Sequence, residues 1–173
     1  STDEIRAKTG LNPAVTFSVP KIMWIKANHP DLYSHIHKIL LYGAYILYKL
    51  GGVSAIDYTL ADRSLAFNVT AKDWDDDILS AAGIQRELMP DVYPLGTVVG
   101  TIRPELADVL GVNRDMKLVT GAHDQICVSI GAGTIEEGIA TNGMGSVDNI
   151  SPVFTDLSHL EDNAKHNYPS VPY

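Results

Sequence analysis

The stretch Val119-Thr120-Gly121-Ala122-His123-Asp124-Gln125 decides how this chain is read. It joins a buried strand, a small-residue turn and an acid–amide pair at the head of a helix. Leu118, Val119 and Thr120 suit a strand interior, where aliphatic and β-branched side chains fill a pleated surface. Gly121 and Ala122 let the backbone turn tightly and let a ligand come close. Asp124 is placed to cap a helix over residues 125–130, its side-chain oxygen accepting the free amides of the first turn. From the local pattern alone, that cap is the first reading of Asp124. The position just past the carboxyl end of a strand is also where open α/β sheets build their sites. Both readings stay open on these residues.

The sequence that follows runs Gly131-Ala132-Gly133, then Gly138-Ile139-Ala140-Thr141-Asn142-Gly143-Met144-Gly145-Ser146. With it, the chain resembles the FGGY carbohydrate kinases, the sugar kinases that include glycerol kinase, xylulokinase and ribulokinase. Thr9-Gly10-Leu11 followed by Lys21-Ile22-Met23-Trp24-Ile25 resembles the family's Thr-Gly…Lys-x-x-Trp passage. Asp57-Tyr58-Thr59-Leu60-Ala61 and then Leu65-Ala66-Phe67-Asn68 resembles its Asp-Tyr-Thr-x-Ala…Leu-Phe-Asn passage. Trp74-Asp75, Gly83-Ile84, Leu88-Met89-Pro90, Gly100-Thr101-Ile102 and the loop Gly121-x-x-Asp124-Gln125 follow in the same order. The likeness is collinear over most of the chain, and no single piece of it is specific.

The resemblance implies an α/β, ribonuclease-H-like fold, that of the actin-like ATPase and sugar kinase superfamily, with an active-site cleft between two domains. It implies the later part of the first, sugar-binding domain over residues 1–132 and the start of the second, nucleotide-binding domain over 133–173. The chain is then an internal piece of a longer kinase, inactive by itself, with the remainder of that kinase as its first partner. ATP and Mg²⁺ are the implied cofactors, and a sugar or polyol the implied small-molecule partner. A homodimer is left open. In glycerol-type members a substrate-facing tyrosine lies in the passage that here spans residues 11–18, and its position is Thr16. That departure weakens glycerol and leaves a ketose, such as a pentulose, or a sugar alcohol. The family's nucleotide-side turn reads Gly-Thr-Ser or Gly-Thr-Gly, its threonine near the phosphates. Here the turn is Gly143-Met144-Gly145-Ser146, so contact with nucleotide rests on backbone amides.

The chemistry can be framed on the residues themselves. Moving a phosphoryl group from ATP to a sugar hydroxyl needs an in-line hydroxyl, balanced charge and a carboxylate to orient that hydroxyl and take its proton. Asp124, past a strand end and three residues after Gly121, fits that base. Gln125 both donates and accepts hydrogen bonds, which suits reading a polyol. His123 competes as a base nearer neutrality. Two alternatives stand beside the kinase: a non-catalytic sugar- or nucleotide-binding relative, and an ATP hydrolase in which Asp124 positions water.

Composition bounds the remaining classes. The chain has 173 residues, 45% apolar and 20% charged, which is long enough for a sizeable core and ordinary for a globular protein. A net charge of −8 argues against a nucleic-acid partner, since no basic patch displaces phosphate counter-ions. Cys127 is the single cysteine, so no internal disulfide forms and no cysteine zinc site is available. A reducing, cytoplasmic setting is the plain expectation. Residues 33–50 are the most apolar stretch and read as a buried helix. His35, His37, Lys38 and Lys49 interrupt it too often for a membrane span of roughly 20 residues. His29, His35 and His37 read as core or surface histidines, because residues two apart on a helix do not chelate together. Lys72-Asp73-Trp74-Asp75-Asp76-Asp77 lacks the glycine and closing glutamate of a calcium loop, so it reads as the acidic first turn of a helix anchored by Trp74. Asp57 reads as a helix cap, residues 98–102 as a strand, 104–110 as a helix closed by Gly111, and 139–154 as a hairpin. On the helix after Pro20, Ile22, Trp24 and Ile25 are expected on the buried side.

Overall fold

The computed structural model describes residues 1–145, 148–166 and 168–172. Helix α1 (Thr2–Thr9) starts on a reciprocal capping box between Ser1 and Glu4 and ends on Gly10 at φ 68, a left-handed conformation that suits glycine. Helices α2 (Ser18–Asn28) and α3 (Pro30–Ser34) follow, each with a proline in its first turn. Next come α4 (Tyr42–Gly51), β1 (Ala55–Asp57), α5 (Tyr58–Asp62), β2 (Phe67–Asn68), β3 (Asp73–Trp74) and α6 (Asp76–Ala82). A single 3-10 turn, Arg86–Leu88, leads to β4 (Asp91–Tyr93) and β5 (Val98–Thr101). The chain then forms α7 (Pro104–Leu110), β6 (Lys117–Val119), α8 (Asp124–Gly131), β7 (Ala140–Met144), β8 (Asp148–Pro152) and α9 (Leu160–Lys165).

The strands pair in twos. β1 and β4 run parallel with Ile56 opposite Val92, while β5 and β6 run antiparallel with an irregularity between Val98 and Gly100. β2 and β3 pair Phe67 with Trp74, and β7 and β8 form a five-pair antiparallel hairpin. The core gathers Val19 and Ile22 of α2, Ala44 of α4, Ile56 of β1, Phe67, Trp74, Leu79, Ile84 and Met89. Phe67 and Trp74 meet edge to face, with centroids 6.3 Å apart. The Trp74 indole N–H donates to Pro90 O at 2.7 Å, so this buried donor is satisfied.

The Asp57 cap read from sequence is present, and in the acidic run Asp75 proves to be a cap as well. The Asp57 side chain accepts the Leu60 amide at the head of α5, and Asp75 accepts the Ile78 amide at the head of α6. The Asp75 carboxyl is pushed up by burial, but hydrogen bonds from the Asn68 amide, the Lys8 ammonium and the Ile78 amide outweigh that and hold it below the usual range. Gly83 and Gly111 close α6 and α7 at positive φ.

Two expectations are corrected. Residues 33–50 are not one buried helix. The Ser34 hydroxyl and the His35 ring both bond Asp31 O and end α3. Ile39 N then donates to Leu88 O at 2.7 Å, and Lys38 Nζ donates to Glu87 O and Met89 O, so this segment is pinned to a distant loop. Helix resumes at Tyr42, and α4 is half open to solvent, with Tyr42 82% exposed. Trp24 is also on the outside, 58% exposed, because it lies two positions from buried Ile22 and a helix turns those to opposite sides. Among the described residues no helix is long and apolar enough to cross a membrane.

Candidate active site

The loop between β6 and α8 carries the expected acid, and it is held at both ends. Thr120, at the end of β6, is buried. Its hydroxyl donates to Pro94 O at 2.8 Å and accepts Thr97 N at 2.9 Å, while its own amide donates to Thr97 O. At the other end, the His123 amide donates to Thr59 Oγ1 at 2.6 Å. Thr59 Oγ1 in turn donates to Asp57 Oδ1, the same oxygen that caps α5. Thr59 and Asp57 are buried. Between these anchors the loop is open: a Cβ at Gly121 would meet nothing within 4 Å.

Asp124 does not cap the helix. His123 is the N-cap, with its carbonyl accepting the Ile126 and Cys127 amides, and α8 starts at Asp124 itself. A side chain at the first helical position lies one residue past the cap, and among the described residues this one takes only the adjacent Gln125 amide from the first turn. The carboxylate therefore stands outward, 82% exposed, with Oδ1 accepting Gln125 N at 2.8 Å and lying 3.2 Å from His123 Nδ1. Its place in the first turn of α8 is where the helix dipole favours a negative charge.

Gln125 is partly buried. Asn149 Nδ2 of β8 donates to Gln125 Oε1 at 3.5 Å and to Ser151 Oγ at 3.0 Å. Gly143 of β7 lies against the same amide, so the structure brings Gln125 and Gly143 together. Met144 pairs with Asp148 at the turn end of the hairpin, Gly145 follows it, and Met144 is 84% exposed. Ser146, the fourth residue expected to meet nucleotide, lies outside the described residues.

A hollow of about 270 Å³ borders the loop. Ile46 and Leu47 of α4, Ile56 and Asp57 of β1, Leu60, and the run from Val119 to Ala122 line it. Farther along α5, the Asp62 side chain is wholly buried, with Arg63 Nη2 at 3.0 Å. Burial pushes the Asp62 carboxyl up to about 7, against the pull of that guanidinium. Among the described residues no three His, Cys, Asp or Glu side chains are placed to hold a metal ion. Sequence reasoning missed Thr59 and Asn149. For Thr59 the Asp57-x-Thr59 spacing was visible as part of a cap, but its partner lies 64 residues away.

Comparison with known proteins bears on these residues. Residues 1–131 match the profile of the FGGY family of carbohydrate kinases, N-terminal domain. The xylulose kinase of Bacillus subtilis (strain 168) is 29% identical over 130 residues, covering 75% of this chain and 26% of its own length. The glycerol kinase of Thermococcus gammatolerans is 33% identical over 150 residues, covering 83% of this chain and 29% of its own. Among solved structures, the ligand-bound xylulose kinase of Lactobacillus acidophilus superposes with a TM-score of 0.80 at 26% identity, over 86% of this chain and 30% of that one. The Plasmodium falciparum glycerol kinase with ADP superposes with a TM-score of 0.79 at 21% identity, over 87% and 30%, a likeness of fold alone. This chain thus spans less than a third of the length of each of these relatives.

Proposed function

The chain belongs to the FGGY family of carbohydrate kinases and has the ribonuclease-H-like fold of the sugar kinases, and on that premise we propose that the whole protein transfers a phosphoryl group from ATP to a sugar or polyol hydroxyl. The observation that carries this reading is the Asp124 carboxylate, turned outward at the end of β6 on a loop anchored at both ends. Asp124 is the base. It orients the acceptor hydroxyl and takes its proton as that oxygen bonds to the γ-phosphorus. The bond from the γ-phosphorus to the bridging oxygen breaks, and ADP leaves with the electron pair.

Gln125 reads a neighbouring hydroxyl, its amide held from behind by Asn149. Backbone amides of Gly143, Met144 and Gly145 face the nucleotide, because the Met144 side chain offers no hydroxyl. Mg²⁺ comes with the nucleotide as its counter-ion, and no step is assigned to it. In this reading residues 1–132 serve the sugar side and 133–173 open the nucleotide side. The relatives named xylulose kinase and the threonine at position 16 favour a ketose, a pentulose in particular.

The test is ADP release by the whole protein with pentuloses, other ketoses, polyols and glycerol. Release that depends on a ketose and is slower with glycerol supports the proposal. Release without any sugar points instead to an ATP hydrolase. Binding of sugar or nucleotide with no release under any condition points to a non-catalytic relative, the reading that Met144 favours.

A further inference from the structure

We infer that Thr59 is a positioning residue for Asp124, acting through the backbone of the site loop; this rests on the assignment of Asp124 as the base. Among the described residues the contacts of the Asp124 carboxylate are to its immediate neighbours, Gln125 N and His123 Nδ1. Gly121 and Ala122 bring little packing of their own, and the space above Gly121 is open. The bond that fixes the backbone one residue before Asp124 is His123 N to Thr59 Oγ1, at 2.6 Å.

The His123 amide can only donate, so Thr59 Oγ1 accepts it and the hydroxyl proton is free for Asp57. A threonine hydroxyl has one proton and can accept through its lone pairs. Its proton goes to Asp57 Oδ1. The lone pair left over is the one that receives the His123 amide. Asp57 Oδ1 also takes the Leu60 amide, so the acceptor is locked to the β1–α5 junction. Asp57 and Thr59 are 3% and 0% exposed, so water does not compete for either bond. The chain therefore couples the end of β1 to the start of α8 across 64 residues, and Asp124 inherits its place from that coupling.

The experiment compares Thr59→Val, which keeps the volume and loses the hydroxyl, with Thr59→Ser, which keeps the hydroxyl. Both are made in the whole protein. Hydrogen exchange at the His123 amide is read beside kcat and the sugar KM. In Thr59→Val the His123 amide exchanges about 10-fold faster or more, for one lost hydrogen bond. There kcat falls about 100-fold with a smaller change in KM, as for a base displaced by about 1 Å. Thr59→Ser restores both to within a few-fold. Unchanged His123 protection in Thr59→Val overturns the bond. Lost protection with unchanged kcat overturns the positioning role. If Thr59→Val does not fold, the wild type and Thr59→Ser decide: an unprotected His123 amide in either overturns the inference. Turnover that survives Asp124→Asn overturns instead the assignment on which the inference rests, while the exchange data still report on Thr59.

Discussion

Gly143 and Gln125 touch so closely that a Cβ on the glycine would lie 3.0 Å from Gln125 Oε1. The backbone of β7 thus forms one wall behind the amide that follows Asp124. The position needs glycine for space and not for conformation, since Gly143 is not among the glycines at positive φ. Gly143→Ala is therefore expected to leave the hairpin intact and push the Gln125 amide aside. The expected outcome is a rise of about 10-fold in sugar KM, the cost of roughly one hydrogen bond, with thermal stability nearly unchanged. Steady-state kinetics on the whole protein with its best sugar checks this. An unchanged KM would separate Gln125 from sugar recognition.

Asp62 predicts a pH dependence of stability. In the folded chain its carboxyl holds a proton up to about 7, and in the unfolded chain a carboxyl of this type releases it near 3.9. Between those values the unfolded state binds fewer protons, so stability falls as pH rises. The slope from this group is at most about 1.4 kcal/mol per pH unit, and it flattens above the folded value. Asp62→Asn keeps the shape and can still accept from Arg63, but does not titrate. Urea midpoints at pH 5 and pH 7 test this: the variant gains on the wild type at pH 7 and much less at pH 5. An equal difference at both would place the titration of Asp62 elsewhere.

The two tryptophans predict opposite outcomes. Trp74 is 5% exposed in the core and donates to Pro90 O, whereas Trp24 is 58% exposed and meets the His29 ring edge to face. Trp74→Ala is expected to cost about 3–5 kcal/mol, and Trp74→Phe less, mainly through the Pro90 carbonyl left without its donor. Trp24→Ala is expected to stay within about 0.5 kcal/mol, as exposed substitutions do. Denaturant unfolding of the three variants reads the contrast directly, and equal losses at both tryptophans would contradict this core.

What sequence could supply follows from how far each determinant reaches. Asp57 and Gly111 were legible as caps because each acts within a turn of its own position. The bounds of α7 were legible from Pro104 and Gly111 for the same reason. The break between α3 and α4 was not, because what holds the chain out of helix after His35 is Leu88 O, Glu87 O and Met89 O, about fifty residues away. Asp124 was misread as a cap by one position, a shift that only the extended backbone of His123 reveals. The pairing of Asp124 and Gln125 with a sugar site came from resemblance to the kinases. What fixes their place, the Thr59 hydroxyl and the Asn149 amide, depends on contacts made by folding.

Asp124 itself gives the most direct test. Its side chain is not the N-cap of α8, takes the adjacent Gln125 amide and is 82% exposed, so Asp124→Asn is expected to fold and to hold its stability within about 0.5 kcal/mol of wild type. The measurement is sugar-dependent ADP release by the whole protein, wild type against Asp124→Asn, at saturating ATP. Loss of the base predicts a fall in kcat of about 10²–10⁴-fold with the sugar still bound. Turnover that survives in a folded Asp124→Asn protein would show that another group takes the proton, and the account of this site would be wrong.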